Sequence, residues 1–236
     1  GGLNVETDPR QLPALHLFAR SLGYAGLEMG ETRVEAYPTQ QGFHFEKVEA
    51  ESEQVSLKAS GDWNLLEDGY RSDFDIMITA ESLGELMSSM DFNTSLEGGQ
   101  TVLQFNAWWP GSPAAFALSR LNGKLEFSVI NGQISNASAG SGRLLGLLSI
   151  QALSGLLSLD FRDVFDSGFD FDEATGTFEM ENGTAHTENV ELSSSAASIS
   201  LVGNTNLVTQ QYDQVMTVRP GLGNTLPIIG ALAGGP

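Results

Sequence analysis

The sequence predicts a mainly β protein: one long, curled antiparallel sheet that forms an apolar groove, with a few short helices capping one end. Three observations carry this expectation. Short windows alternate bulky apolar and polar residues, as in Phe43-His44-Phe45, Phe74-Asp75-Ile76, Leu103-Gln104-Phe105, Leu125-Glu126-Phe127 and Phe169-Asp170-Phe171. That is the period of a strand with one wetted face. The windows follow one another without helices of βαβ length, so neighbours pair antiparallel. Each window is oily on one face only, and no second set of strands is available to cover it as a sandwich requires. The concave side of such a sheet is lined by Phe, Leu, Val and Met and is open to an apolar ligand.

Residues 15–64 open the series. Leu15, Leu17 and Ala19 alternate with His16, Phe18 and Arg20. Strands follow at 32–37 and 42–46, Glu46-Lys47 turns the chain into 48–51, and 55–63 closes the set. Residues 70–135 repeat the idea. A strand over 74–79 leads to a helix over 82–90, with Leu83, Leu86, Met87 and Met90 on one side and Ser82 and Glu85 as a capping box. The strand over 101–108 is broken at 109–113, since neither Pro110 nor Pro113 can donate to a ladder. Asn131-Gly132 predicts a two-residue hairpin turn after the strand over 125–129.

Residues 141–220 begin with helices over 142–153 and 160–165. Strands at 169–172, 177–180, 189–192 and 198–201 follow, with a second Asn-Gly hairpin at Asn182-Gly183. The tail 221–236 is uncharged, is barred from regular helix by Pro227, and reads as an apolar lead out of the fragment. The organisation is therefore curled β-sheet repeats with one short helix over 1–140, a helix pair plus β-meander over 141–220, and the tail.

Composition narrows function by exclusion. Thirty acids against eleven bases give a formal charge of −19. Such a surface repels phosphate backbones and anionic headgroups, so nucleic acid is not an expected partner. No cysteine is present, which removes disulfides, zinc-thiolate sites and thiol nucleophiles. The first residues lack a basic, then apolar, signal segment, and the chain reads as a piece of a longer protein. The uncharged run 144–159 is shorter than the ~20 residues that span a bilayer; within it, 144–157 reads as a buried helix capping one end of the groove.

No constellation for catalysis emerges. His16, His44 and His186 lack metal-ligand spacing. Asp166, Asp170, Asp172 and Glu173 fit no calcium loop, and Asp170 and Asp172 alternate with Phe169 and Phe171 toward solvent. There is no nucleophile elbow and no phosphate-binding glycine loop. Trp108 and Trp109 read as a packed corner. The expectation is a protein that is not an enzyme and uses no metal or cofactor. Its groove lining consists of the bulky members of the period-two pairs: Phe43, Phe45, Ile76, Leu103, Phe105, Phe127, Phe178, Met180, Ile199 and Leu201.

Several segments carry a resemblance. They are 142–148 (Gly-Arg-Leu-Leu-Gly-Leu-Leu), 159–163, 168–172, 182–185 (Asn-Gly-Thr-Ala), 199–203 and 212–215 running to Arg219-Pro220. Segments 109–116, 121–123, 12–15 and 61–63 add to them. An apolar plug feeding a β-meander resembles the C-terminal part of the AsmA-like envelope proteins, YhdP-type branch. The resemblance implies a periplasmic β-groove that shields phospholipid acyl chains between inner and outer membranes. It implies a full-length protein anchored in the inner membrane, with this fragment toward the outer one and outer-membrane or envelope proteins as partners at its C-terminal end. Two other classes stay open: an assembly factor for outer-membrane biogenesis, and a polysaccharide-binding β-domain.

Overall fold

The computed structural model describes residues 7–24, 27–89, 96–134, 169–209, 211–221 and 228–234. Its elements are β1 (Leu15–Ala19), β2 (Gly23–Tyr24), β3 (Leu27–Glu28), β4 (Glu31–Pro38), β5 (Gly42–Glu51), β6 (Val55–Leu66), β7 (Gly69–Ala80), α1 (Leu83–Ser89), β8 (Leu96–Pro110), β9 (Asn122–Ile134), β10 (Phe169–Glu181), β11 (Thr184–Ser193), β12 (Ala197–Asn206), β13 (Gln211–Pro220) and β14 (Ile228–Gly234). β2 and β3 pair with each other. The other twelve strands form one antiparallel sheet in chain order, with β1 and β14 at opposite ends and no closure into a barrel.

The turns follow local chemistry. Asn182 and Gly183 both take left-handed backbone, φ 47° and 77°, which is what a two-residue hairpin with the twist of its strands requires. Ser82 Oγ accepts the Glu85 N–H at 3.2 Å at the start of α1. The reciprocal half of the capping box is not made, because the Glu85 carboxylate accepts from Gln54 Nε2 instead. The helices expected over 142–153 and 160–165 lie outside the described residues.

Three strand readings change. Asn131-Gly132 is not a hairpin turn. Asn131 is left-handed, φ 56°, but β9 runs on through it to Ile134, paired on both sides. The facing Gly98 and Gly99 of β8 are also at positive φ, so β8 follows the distortion and the ladder keeps its register. Glu46-Lys47 is not a turn either. It is a bulge inside the single strand β5, where the pairing steps from Phe45 to Val48. The tail supplies β14, which pairs with β13 from Val218↔Ile228 to Tyr212↔Gly234. An unalternating run such as Ile228-Ile229-Gly230-Ala231 gives no strand signal by itself; the open edge of β13 recruits it.

The core is one face of the sheet. Phe45 of β5 and Phe74 of β7 stand on either side of Gly61 in β6, yet their ring centroids are 5.3 Å apart. Strands two apart lie about 9.6 Å from each other in a flat sheet, so the side chains converge over the glycine, as on the inside of a curl. Gly176 of β10 is flanked in the same way. A Cβ there would lie 2.6 Å from a Val190 methyl and 2.9 Å from the Phe127 ring.

The apolar face is covered at one end by the 3-10 turn Pro9–Gln11. Leu12 packs there against the buried Ala36, Phe43 and Trp63. Asp8 caps that turn, accepting from Arg10 N at 3.0 Å and pairing with its guanidinium at 2.7 Å.

Two predictions follow from this packing. Gly176→Ala is expected to cost about 1–3 kcal/mol in chemical denaturation, because Val190 and Phe127 must give way; an unchanged midpoint would mean the two side chains do not close over the glycine. The second concerns pH. The Arg10 hydrogen bond holds the Asp8 carboxyl down to about 2, from an ordinary 3.8. A depressed pKa stabilises the folded cap fully above 3.8, and that contribution is lost as the pH falls through about 2. The Trp63 indole resonance should report release of Leu12 in that window, and Asp8→Asn should abolish the transition.

Candidate functional site

The strand pairing assembles residues, all apolar but one threonine, into rows that run across the strands. One row is Leu17, Val34, Val48, Ala59, Ile76, Phe105, Leu125 and Phe178, crossing β1 and β4 to β10. Another is Val55, Ala80, Thr101, Val129, Ala174, Leu192, Ile199 and Val218, crossing β6 to β13. Twelve strands at about 4.8 Å make this face roughly 53 Å long along the curl. Because the ladder satisfies the backbone within the sheet plane, the face presents side chains alone.

All ten residues assigned to the lining from alternation stand on this face. Phe43, Ile199 and Leu201 are buried. Phe45, Ile76, Leu103, Phe105, Phe127, Phe178 and Met180 are half-buried. The structure adds residues the alternation did not single out. Phe74 and Trp109 stack at 5.6 Å, with Leu121 beneath them. Phe169, Phe171, Met216 and Val218 join the largest cluster. Phe74 and Phe169 had the signal, as members of clean period-two windows. Met216 had none, because Val215 beside it is equally apolar; the pairing puts Met216 inside at 2% exposure and leaves Val215 at 43%.

Exposure falls along the face. Leu15 and Leu17 at the β1 edge are 40% and 46% exposed, whereas Leu192, Ile199, Leu201, Met216 and Val218 are all under 5%. Polar groups on the face are few and mostly satisfied. Ser72 Oγ donates to Gly111 O at 2.9 Å and Thr101 Oγ1 to Gly99 O at 2.8 Å. Gln214 Nε2 donates to Thr205 Oγ1 at 2.8 Å. Among the described residues, two buried atoms, Gln214 Oε1 and Trp63 Nε1, have no hydrogen-bond partner, which is uncommon for buried polar groups.

The opposite face carries the charge. Neighbouring side chains pair there: Arg71 with Asp73, Lys47 with Glu49, Lys124 with Glu126. The Glu126 carboxylate raises the Lys124 ammonium pKa, and burial together with Glu46 raises that of the Tyr37 phenol. His44 sits here, 2.9 Å from Asp62, and His186 lies 2.9 Å from Asn204. Asp170 and Asp172 are exposed, and Asp166 lies outside the described residues. Among the described residues, no group of three or more His, Cys, Asp or Glu side chains is placed to hold a metal ion. Trp109 is the packed corner that the sequence indicates, with Nε1 donating to Ser112 O at 3.0 Å. Trp108 is not part of it. It lies one position earlier, so it points from the other face and is 38% exposed.

A family model described as YhdP protein matches residues 2–236, nearly the whole chain. The chain belongs to the YhdP protein family. A curated relative is the intermembrane phospholipid transporter YhdP of Escherichia coli (strain K12), 26% identical over 181 residues. The match covers 76% of this chain and 14% of that relative, so this YhdP family chain spans a small part of the protein it resembles. No solved structure matches it at a significant level.

The orphaned amide oxygen gives a test of the face itself. Gln214→Leu combined with Thr205→Val is expected to leave stability unchanged or to raise it by up to about 1–3 kcal/mol, since the pair removes the unsatisfied acceptor together with both partners of the Nε2–Oγ1 hydrogen bond. A lowered urea midpoint for the double variant would show that the oxygen has a partner.

Proposed function

We propose that this chain is a segment of a lipid bridge, whose apolar face shields phospholipid acyl chains between the inner and outer membranes of a Gram-negative envelope. One observation carries the reading: the apolar rows continue from strand to strand across an open sheet whose other face is charged. Membership of the YhdP family supports it, and a curated member is named as an intermembrane phospholipid transporter. No step of bond-making is assigned to the chain, and its setting is the periplasm.

The energetics suit that role. A two-chain phospholipid has about thirty methylenes, each costing ~0.8 kcal/mol to expose to water. Crossing an aqueous gap unaided is therefore opposed by roughly 20 kcal/mol or more. A continuous trough removes most of this barrier without a tight site. A trough also tolerates loss of any single contact, which is why function rests on the pattern and not on one residue. The ten lining residues act as that surface, and the acyl chains are the partner.

The test places a charge in the path. Phe105→Ala is expected to change lipid occupancy little, because it removes a few tens of Å² at ~25 cal/mol per Å² from a much larger surface. Phe105→Asp should block passage, because acyl chains must then dehydrate an unpaired carboxylate. Native mass spectrometry of the purified chain should show co-purifying phospholipid. Lipid photo-crosslinking on both sides of position 105 should be lost on one side in the folded Asp variant. Absence of bound lipid in the wild-type chain would overturn the proposal, and equal crosslinking beyond the charge would overturn passage along the trough.

A further inference from the structure

The charged face has a hollow that lipid transport does not use. It measures about 910 Å³ and is lined by Trp108, Glu179, Glu181, Asn182, His186 and Asn204, among others. A second hollow of about 530 Å³ adjoins it and shares Trp108 and Glu179. The lining residues come from β8, β9, β10, the β10–β11 turn, β11 and β12, and the outer ones lie four strand spacings apart, roughly 19 Å.

The floor is built and held. The connections β8–β9, β10–β11 and β12–β13 all meet here. Gly183 N donates to Leu121 O at 3.1 Å and Leu207 N to Gly183 O at 2.9 Å. Asn182 N donates to the side chain of the buried Asn122 at 3.0 Å, and Asn122 Nδ2 donates to Arg120 O at 2.7 Å. These bonds tie three loops into one rim, so the side chains on it are placed in advance of any ligand.

The chemistry of the lining selects a ligand class. An exposed tryptophan offers a flat, electron-rich face to weakly positive C–H groups. Around it stand carboxylates, side-chain amides and an imidazole, a mixture of acceptors and donors suited to hydroxyl groups that both give and take. Acyl chains have no use for such a lining. Glu179 and Glu181 repel phosphate-bearing polymers. The Arg71 guanidinium lies 5.3 Å from the Trp108 ring centroid, over one face, and Trp108 keeps 38% of its surface exposed for a ligand ring. We infer that this hollow binds a neutral oligosaccharide, one sugar ring stacked on Trp108 and the hydroxyls of the following rings shared among Glu179, His186 and Asn204. The site lies on the face opposite the apolar rows, so it stands or falls independently of lipid transport.

The test uses the whole chain and its three tryptophan indole resonances. Two probes are titrated: a β-1,4-linked tetramer of N-acetylglucosamine and a β-1,4-linked tetramer of glucose. Saturable shifts of the Trp108 indole and the His186 ring, with Trp63 and Trp109 unmoved, are expected for at least one probe, and the preferred probe identifies amino sugar or plain hexose. Trp108→Ala should weaken binding at least tenfold. Asn204→Ala, at the far end of the hollow, should weaken it several-fold while leaving the Trp108 resonance in place. No saturable shift at millimolar concentration of either probe, or undiminished binding by folded Trp108→Ala, would overturn the assignment.

Discussion

Everything in this chain depends on strand register. Side chains alternate strictly across a sheet, so a one-residue slip between any two strands would turn all the following apolar residues to the wetted side. Twelve strands must therefore agree on which face is oily. They do so even where the backbone is irregular. At Phe45 to Val48 in β5 and at Thr187 to Val190 in β11, an extra residue is inserted and the pairing shifts with it. Around Asn131, the buried Val129 and Gly132 are three positions apart instead of two, and Ala174 and Phe171 across the pair repeat the step. Each irregularity restores the apolar residue to the same face, and each adds local twist or bend to the strands it occupies.

The same constraint explains why the described part of the apolar side presents hydrocarbon and few polar groups. Backbone donors and acceptors are consumed in the ladder, and the remaining surface is made of hydrocarbon whose attraction is non-directional and roughly proportional to area. A surface of that kind attracts apolar groups without fixing their position. The gradient from an open β1 edge to the deeply buried β11–β13 shows that the face is not uniform along its length. The glycines at 61 and 176 are part of the same design, because they give room for Phe45 with Phe74, and Phe127 with Val190, to close over the backbone.

On the other face the chemistry is of another kind. Directional groups dominate, the loops at one end are cross-tied, and an aromatic ring stands exposed among amides and carboxylates. Two adjacent tryptophans mark the division. Trp109 enters the apolar side and is buried by Phe74 and Phe116; Trp108 points outward beneath Arg71.

The amino-acid sequence by itself determined the β class, the antiparallel order, the hairpin at Asn182-Gly183 and the apolar membership of residues such as Phe43, Phe105 and Ile199. These rest on period-two alternation and turn chemistry, which act over a few residues. It did not determine that Asn131-Gly132 continues a strand, that Glu46-Lys47 is a bulge, that the uncharged tail joins the sheet, or which of Val215 and Met216 faces inward. Each of those was settled by a neighbouring strand: the matching glycines of β8, the register against β4 and β6, the open edge of β13, and the pairing of β12 with β13. Nor did sequence show that Trp108, Glu179, His186 and Asn204 surround one hollow, because residues nearly a hundred positions apart meet only when five strands lie side by side. Local alternation names the face of each strand, and only hydrogen-bonded register decides which residues share it.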